Sequence, residues 1–223
     1  MRYSRQLPLL KDNSVEMLKH STIAVIGVGG VGNAVLPLLV GAGVGKIKIV
    51  DGDCVSLSNL HRQTIFNEDD ISKNKAIIAK EKLSKLNSQV EIVSRSTHLE
   101  NQKDAQEFIS GTDLCIDTTD SFLSRTFISE ACAKENVLEI ACTAGEWVAQ
   151  LYFFDKSFKF ADIAPNAQEK AQYLPIFPPA AHLSGVWGAS EAIKIITKQR
   201  EFQAGYFQSF DFQNNKFIKA NLI

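Results

Sequence analysis

Thr22-Ile23-Ala24-Val25-Ile26-Gly27-Val28-Gly29-Gly30-Val31-Gly32 is a short β-rich apolar run that ends in a glycine turn. Residues 31–42, rich in Val, Leu and Ala, continue from it as a helix, with Pro37 expected to bend that helix or loosen one of its hydrogen bonds. A second strand, Lys46 to Val50, delivers Asp51 at its carboxyl end, so the stretch reads as a βαβ unit. In such a unit, backbone N–H groups of the turn approach phosphates that also feel the positive end of the helix. The acid about twenty residues on is placed for ribose hydroxyls. Gly27, Gly29, Gly30, Gly32 and Asp51 are therefore candidate nucleotide contacts. Taken alone they fit a dinucleotide as well, or a glycine turn with no ligand.

Outward from this unit the pattern keeps alternating. Residues 57–63 read as an irregular segment or short helical turn and Ser72 to Leu86 as a helix. Val90 to Ser94 and Asp113 to Ile116 read as strands, with a short helix near residues 103–109 between them. A helix from Phe122 to Glu135 leads into a strand over 137–141. This predicts a Rossmann-like α/β fold, a mainly parallel sheet with helices on both faces and ligands at the carboxyl ends of its strands. After residue 145 the pattern changes to a strand at 148–154, a loop at 161–180, a helix at 182–198 and a hairpin of 205–211 with 216–220, which extends the sheet with antiparallel strands. The stretch from Tyr173 to Pro179 is the expected mobile loop over the site. One domain over 1–223 is expected, with 1–145 as nucleotide-binding part and 146–223 as dimer and substrate part.

The residues behind the turn decide between ligands. Ser58-Asn59-Leu60-His61-Arg62-Gln63 is followed by Lys75. Arg62 offers a planar fork for phosphate oxygens, Lys75 a point charge and Asn59 a neutral donor. Each alone reads equally as a solvated surface group, but together they suit a triphosphate, for which an oxidoreductase has no evident use. The segment therefore points to ATP. Asp120, at the end of Asp117-Thr118-Thr119-Asp120, suits a Mg²⁺ ion between phosphates, or alternatively an N-cap of the helix that starts near Phe122.

The balance of the chain excludes several classes. A net charge of -1 and a pI near 6.4 carry no footprint for nucleic acid, and no apolar run is long enough to span a membrane. The amino terminus has no apolar signal region, so a cytoplasmic location is expected. Cys54, Cys115, Cys132 and Cys142 lack CxxC spacing. Cys115 and Cys132 read as buried structural thiols, while Cys142, at a strand end, is left between a packed and a catalytic thiol.

With these residues in hand, the chain resembles the ThiF/MoeB/HesA family, relatives of the ubiquitin-activating enzymes. The likeness is carried by Arg2-Tyr3-Ser4-Arg5-Gln6, the glycine turn, Asp51-Gly52-Asp53, Val55 to Gln63, Lys75, Asp117 to Asp120, and Glu191-Ala192-Ile193-Lys194. The resemblance implies ATP-dependent adenylylation of a carboxylate, usually the carboxyl-terminal glycine of a small ubiquitin-like sulfur carrier protein, with pyrophosphate released. It places Asp51 and Asp53 at the nucleotide, Asn59, Arg62, Gln63 and Lys75 on the phosphates, Asp120 on Mg²⁺, and Arg5 in the partner subunit's site of a homodimer. Arg5, Arg62, Lys75 and Asp120 are thus the expected catalytic set.

The chain departs from the family pattern in lacking both CxxC pairs of the usual structural zinc, so no zinc is expected. The 161–180 crossover also has no cysteine for a covalent step. Ser121 stands where the family usually has Asn, and His182 where Gly is common, the latter read as a packed or solvent-facing imidazole unless it reshapes the substrate channel. Three functions stay open at this level. They are activation of a sulfur carrier in a thiamine, molybdopterin or related pathway, activation of a peptide carboxylate in a natural-product pathway, and nucleotide binding without turnover.

Overall fold

The computed structural model describes residues 2–10, 13–165 and 175–223. Its centre is one eight-stranded sheet in the order β3-β2-β1-β4-β5-β6-β7-β8. The first five strands, β1 (Thr22–Ile26), β2 (Lys46–Val50), β3 (Glu91–Arg95), β4 (Leu114–Asp117) and β5 (Leu138–Gly145), run parallel. Then β6 (Val148–Phe154), β7 (Tyr206–Asp211) and β8 (Lys216–Asn221) add on antiparallel.

Helices cover both faces because the inner strands are apolar on both sides. On one face α2 (Gly30–Ala42), α3 (Lys75–Leu86) and α7 (Pro178–Ile196) bury Val35, Leu36, Leu39, Ile78, Leu83 and Ala189 against Ile23, Val25, Ile47 and Ile49. On the other, α4 (Gln102–Ile109) and α5 (Phe122–Glu135) bury Phe108, Ile109, Ile128 and Ala131 against Ala24, Ile26 and Cys115. Two short helices, α1 (Ser14–Lys19) before β1 and α6 (Phe160–Ile163) after β6, were not expected from the sequence. Both are too short for a 3.6-residue period to register.

Several expected boundaries shift for local reasons. The helix expected from Ser72 begins at Lys75, since Ser72 has a φ of 71° and Asn74 caps the helix by accepting the Ile77 N–H at 3.2 Å. The strand expected to stop at 141 runs on to Gly145, because β6 pairs with it along its whole length. The helix expected from 182 begins at Pro178. Pro178 and Pro179 sit in its first turn, where a missing N–H costs nothing, so this pair opens a helix instead of prolonging a loop. Of the expected 161–180 loop, residues 166–174 lie outside the described residues. Pro175, Ile176 and Phe177 are tied to the β5–β6 turn: Glu146 N–H donates to the Pro175 carbonyl at 2.6 Å and Phe177 N–H to the Glu146 carbonyl at 2.8 Å.

Candidate active site

Strand order reverses between β1 and β4, the position where open α/β sheets leave a crevice at their carboxyl ends. The glycine turn after β1 and the Thr118–Asp120 turn after β4 meet there. Thr118 Oγ1 donates to the carbonyls of Ile26 and Gly27, at 3.0 and 2.9 Å, so the two turns are locked together. Above them opens a cavity of about 1340 Å³. Its walls include Gly27, Gly29, Gly30, Asp51, Asp53, Asn59, Arg62, Gln63, Lys75 and Asp120. All the expected site residues except Gly32 and Arg5 therefore converge on one space.

Gly32 lies behind the turn. A Cβ there would stand 2.3 Å from the Gly27 carbonyl oxygen, so its glycine serves the close return of α2 onto the turn. Gly29 differs: a Cβ would meet only Gln63 Nε2, at 4.0 Å. Packing does not demand glycine at 29, yet a side chain there would stand at the helix entrance, beside first-turn N–H groups that no helix satisfies internally. An open cradle of that kind fits a phosphate.

Asp51 braces the turn before it touches any ligand. Oδ2 accepts from Val28 N–H at 2.7 Å and Oδ1 from Asp53 N–H at 2.8 Å, which leaves one lone pair on each oxygen for a ribose hydroxyl. Burial pushes this carboxyl above its ordinary range, against the pull of Lys75 and the two N–H donors. Asp53 instead holds Lys75, with Nζ to Oδ2 at 2.9 Å. The lysine side chain is only 7% exposed and the aspartate 56%, so the pair positions the ammonium inside the wall while its partner faces solvent. His98 Nε2 lies 3.5 Å from Asp53 Oδ1.

Asn59 caps the 3₁₀ turn Leu57–Asn59, its Oδ1 accepting from Ser56 N–H at 3.2 Å. Arg62 lies over Gly30 and donates from Nη1 to the Ser58 carbonyl at 3.1 Å. Gln63 is buried beside Gly29, with no hydrogen-bond partner for its Oε1. Asp120 is exposed on the cavity wall and is not the cap of α5. Ser121 takes that place by accepting the Ser124 N–H at 3.3 Å, so the carboxylate is left to the cavity. Asp120 forms no ion pair among the described residues, and a carboxylate facing a phosphate cradle with no competing cation suits Mg²⁺.

Arg5 belongs elsewhere in the chain. Its neighbours anchor at the far end of α2, where Gln6 Nε2 donates to the Ala42 carbonyl at 3.1 Å and Tyr3 Oη accepts from Asn87 Nδ2 at 3.0 Å. Thirteen helical residues, about 20 Å, separate that end from the glycine turn. Among the cysteines, Cys115, Cys132 and Cys142 are buried and Cys54 is exposed. Cys142 is held against Gly188, where an added Cβ would approach its Sγ to 2.2 Å, and burial pushes its thiol well up. Packing is therefore the reading the structure favours for Cys142. Among the described residues no three His, Cys, Asp or Glu side chains gather into a metal-ligating group.

Two site residues, Asn33 and Arg125, escaped the sequence reading, and His182 takes the packed place expected of it. Asn33, buried in α2, donates to the carbonyls of Val28 and Gly29 at 2.8 and 2.9 Å and accepts from Ile65 N–H at 2.7 Å. It thereby fixes the Arg62–Gln63 segment to the glycine turn, and an Asn in an otherwise apolar first turn was the available signal. His182 Nε2 lies 3.0 Å from the Arg62 carbonyl, so the imidazole is packed and ties α7 to the same segment. Arg125, one turn into α5, reaches back to the cavity wall.

The ThiF family matches residues 3–222. A probable molybdopterin-synthase adenylyltransferase of Porphyra purpurea is 33% identical over 235 residues, covering 100% of this chain but 60% of its own length. The sulfur carrier protein ThiS adenylyltransferase of Escherichia coli K12 is 31% identical over 227 residues, covering 97% of this chain and 88% of its own. Among solved structures, E. coli MccB with ATP superposes with a TM-score of 0.83 at 23% identity, covering 99% of this chain and 71% of that one, a likeness of fold. This chain spans three fifths of the red-algal relative and most of the bacterial one, and it belongs to the ThiF family.

Proposed function

We propose that the protein is an ATP-dependent adenylyltransferase that activates the carboxyl-terminal glycine of a small ubiquitin-like sulfur carrier and releases pyrophosphate. The observation that carries this reading is the single cavity that joins the glycine turn, Arg62, Lys75 and Asp120 to the β5–β6 wall, with room for a nucleotide and the end of a second chain. ThiS and molybdopterin-synthase relatives support the carrier as the acceptor class.

On this reading the triphosphate lies along the Gly27–Gly30 turn, with Arg62 and Lys75 on its oxygens and the ribose at Asp51. Mg²⁺ at Asp120 would supply further neutralisation of phosphate charge. A terminal carboxylate with a pKa of about 3.5 is already an ionised nucleophile at neutral pH, so no general base is required. Its oxygen attacks the α-phosphorus, the bond to the bridging oxygen of pyrophosphate breaks, and the acyl-adenylate results. The protein's part is to align the carboxylate with that bond and to meet the charge that moves onto pyrophosphate, for which Arg62 and Lys75 are preset. Arg5 would act on the phosphates of a partner subunit in a homodimer.

ATP–pyrophosphate exchange tests the reading. Exchange that depends on a carrier ending in Gly-Gly is the expected result. Exchange only with an unrelated peptide would move the acceptor to the natural-product class, and ATP binding without exchange for any carboxylate would contradict catalysis.

A further inference from the structure

Three cationic side chains of Lys or Arg line the cavity among the described residues, and they do not sit together. Arg62 and Lys75 belong to the β1–β2 end, beside the glycine turn and Asp53. Arg125 stands on the opposite wall. It is the fourth residue of α5, and its guanidinium turns back over the carboxyl end of β4, where Nη2 donates to the Thr119 carbonyl. Its charge is felt at Asp117 on β4, Glu139 and Cys142 on β5 and Tyr152 on β6. The cation thus lies where the parallel sheet gives way to its antiparallel extension, beyond Asp120 from the glycine turn.

This guanidinium is only partly committed. Arg125 forms no ion pair among the described residues, and its Nε is buried without a hydrogen-bond partner. Asp117, the carboxylate nearest to neutralising it, spends Oδ1 on Thr119 N–H at 2.8 Å and leaves Oδ2 unpartnered. Burial and the neighbouring Asp117 push the Glu139 carboxyl well up, which disfavours a second negative charge beside Arg125. A cation in the first turns of a helix also faces the positive end of the helix dipole. A cation in that position is costly by itself, and an arriving anion relieves the charge.

An acceptor carboxylate is such an anion, and it has a difficulty of its own. It must approach the α-phosphate of a polyanionic nucleotide, whose charge repels it. In Arg125, Nη2 is engaged with the Thr119 carbonyl and Nε is buried, which leaves Nη1 as the guanidinium nitrogen free to donate to a carboxylate oxygen. We propose that Arg125 anchors the terminal carboxylate of the acceptor, with the end of the acceptor chain lying along Thr143–Gly145 toward Tyr152 and Phe160. The proposal rests on the reading of this cavity as an adenylylation site, and it assigns a specificity-determining residue to the acceptor half.

Calorimetry with two peptides tests it. The protein is first loaded with a nonhydrolysable ATP analogue and Mg²⁺, then titrated with a synthetic peptide ending in Gly-Gly as the free acid, or with the same peptide as its carboxyl-terminal amide. Wild-type protein is expected to bind the acid at least about tenfold more tightly, the scale of one charge-assisted pair. Arg125→Gln should bring the acid to the level of the amide, while its affinity for the ATP analogue stays within about twofold. Arg125→Lys, which keeps the charge and loses the planar guanidinium, should retain part of the preference. An acid preference that survives in Arg125→Gln overturns the anchor, as does a nucleotide-loaded wild type that does not distinguish acid from amide. Loss of analogue affinity in both Arg125 variants would also overturn it, assigning Arg125 to the nucleotide side. A wild type that fails to bind the analogue at all would instead overturn the adenylylation reading beneath it.

Discussion

Lys75 is the first residue of α3, where the helix dipole repels a cation, and it is buried there against Asp53. The two costs make sense if the ammonium is held ready for phosphate. Replacing Lys75, Arg62 or Asp120 singly with Ala should lower ATP–pyrophosphate exchange by at least about tenfold, the order set by loss of one charge-stabilising contact. Retained exchange in all three would remove the site. Glu139 makes a different prediction. Because burial raises its carboxyl in the folded protein, the folded state holds a proton that the unfolded state releases above the ordinary glutamate range. Stability from this group is present in acid and lost as pH rises toward the folded pKa. The Tm of wild type should therefore fall between pH 5 and pH 8 relative to Glu139→Gln, and parallel curves for the two proteins would contradict a neutral Glu139. At this scale Arg62 and Lys75 were legible because they follow the glycine turn within one βαβ unit and the segment after it, and Asp120 because it stands at the end of an apolar strand run. Arg125 was not, since a lone arginine in a helical pattern carries no local mark that its side chain turns back to the strand end before it.

Among the elements, the glycine turn separates packing from binding. Gly32→Ala would set a Cβ against the Gly27 carbonyl and is expected to cost about 1–3 kcal/mol of stability, measurable by urea unfolding. Gly29→Ala meets open space, so its Tm should stay near wild type while ATP-analogue affinity falls by about tenfold or more. Equal effects of the two substitutions on stability would contradict the assignment of Gly29 to phosphate. The elements that carry the turn were readable because β1 and β2 are short β-rich runs and α2 a longer apolar one, with glycines between them. The start of α7 was not, since prolines at a helix N-terminus look like prolines in a loop. The end of β5 was also hidden, since its length is set by pairing with β6, a partner that local pattern does not display.

For the whole molecule, the sheet divides the chemistry along its strand order. On the proposed reading the nucleotide would lie over β2, β1 and β4, and the acceptor over β5 and β6. Alternation of strand and helix made the parallel half legible, whereas the antiparallel half gave only strands whose faces could not be assigned to a ligand. The neighbours of Arg5, Tyr3 and Gln6, anchor at the end of α2 away from the cavity, so the catalytic role proposed for Arg5 requires a partner subunit. Mixing inactive Arg5→Ala with inactive Asp120→Ala protein should restore part of the exchange activity, and no rescue despite verified subunit exchange would place Arg5 outside catalysis. The account rests on a triphosphate held at the glycine turn, and a crystal grown with Mg²⁺ and a nonhydrolysable ATP analogue examines that claim most directly. The phosphates should lie over Gly27–Gly30 with Arg62 and Lys75 on their oxygens and Asp120 at the metal. An analogue bound elsewhere, or a cavity that takes a redox dinucleotide in its place with affinity unaffected by Arg62→Ala, would contradict it.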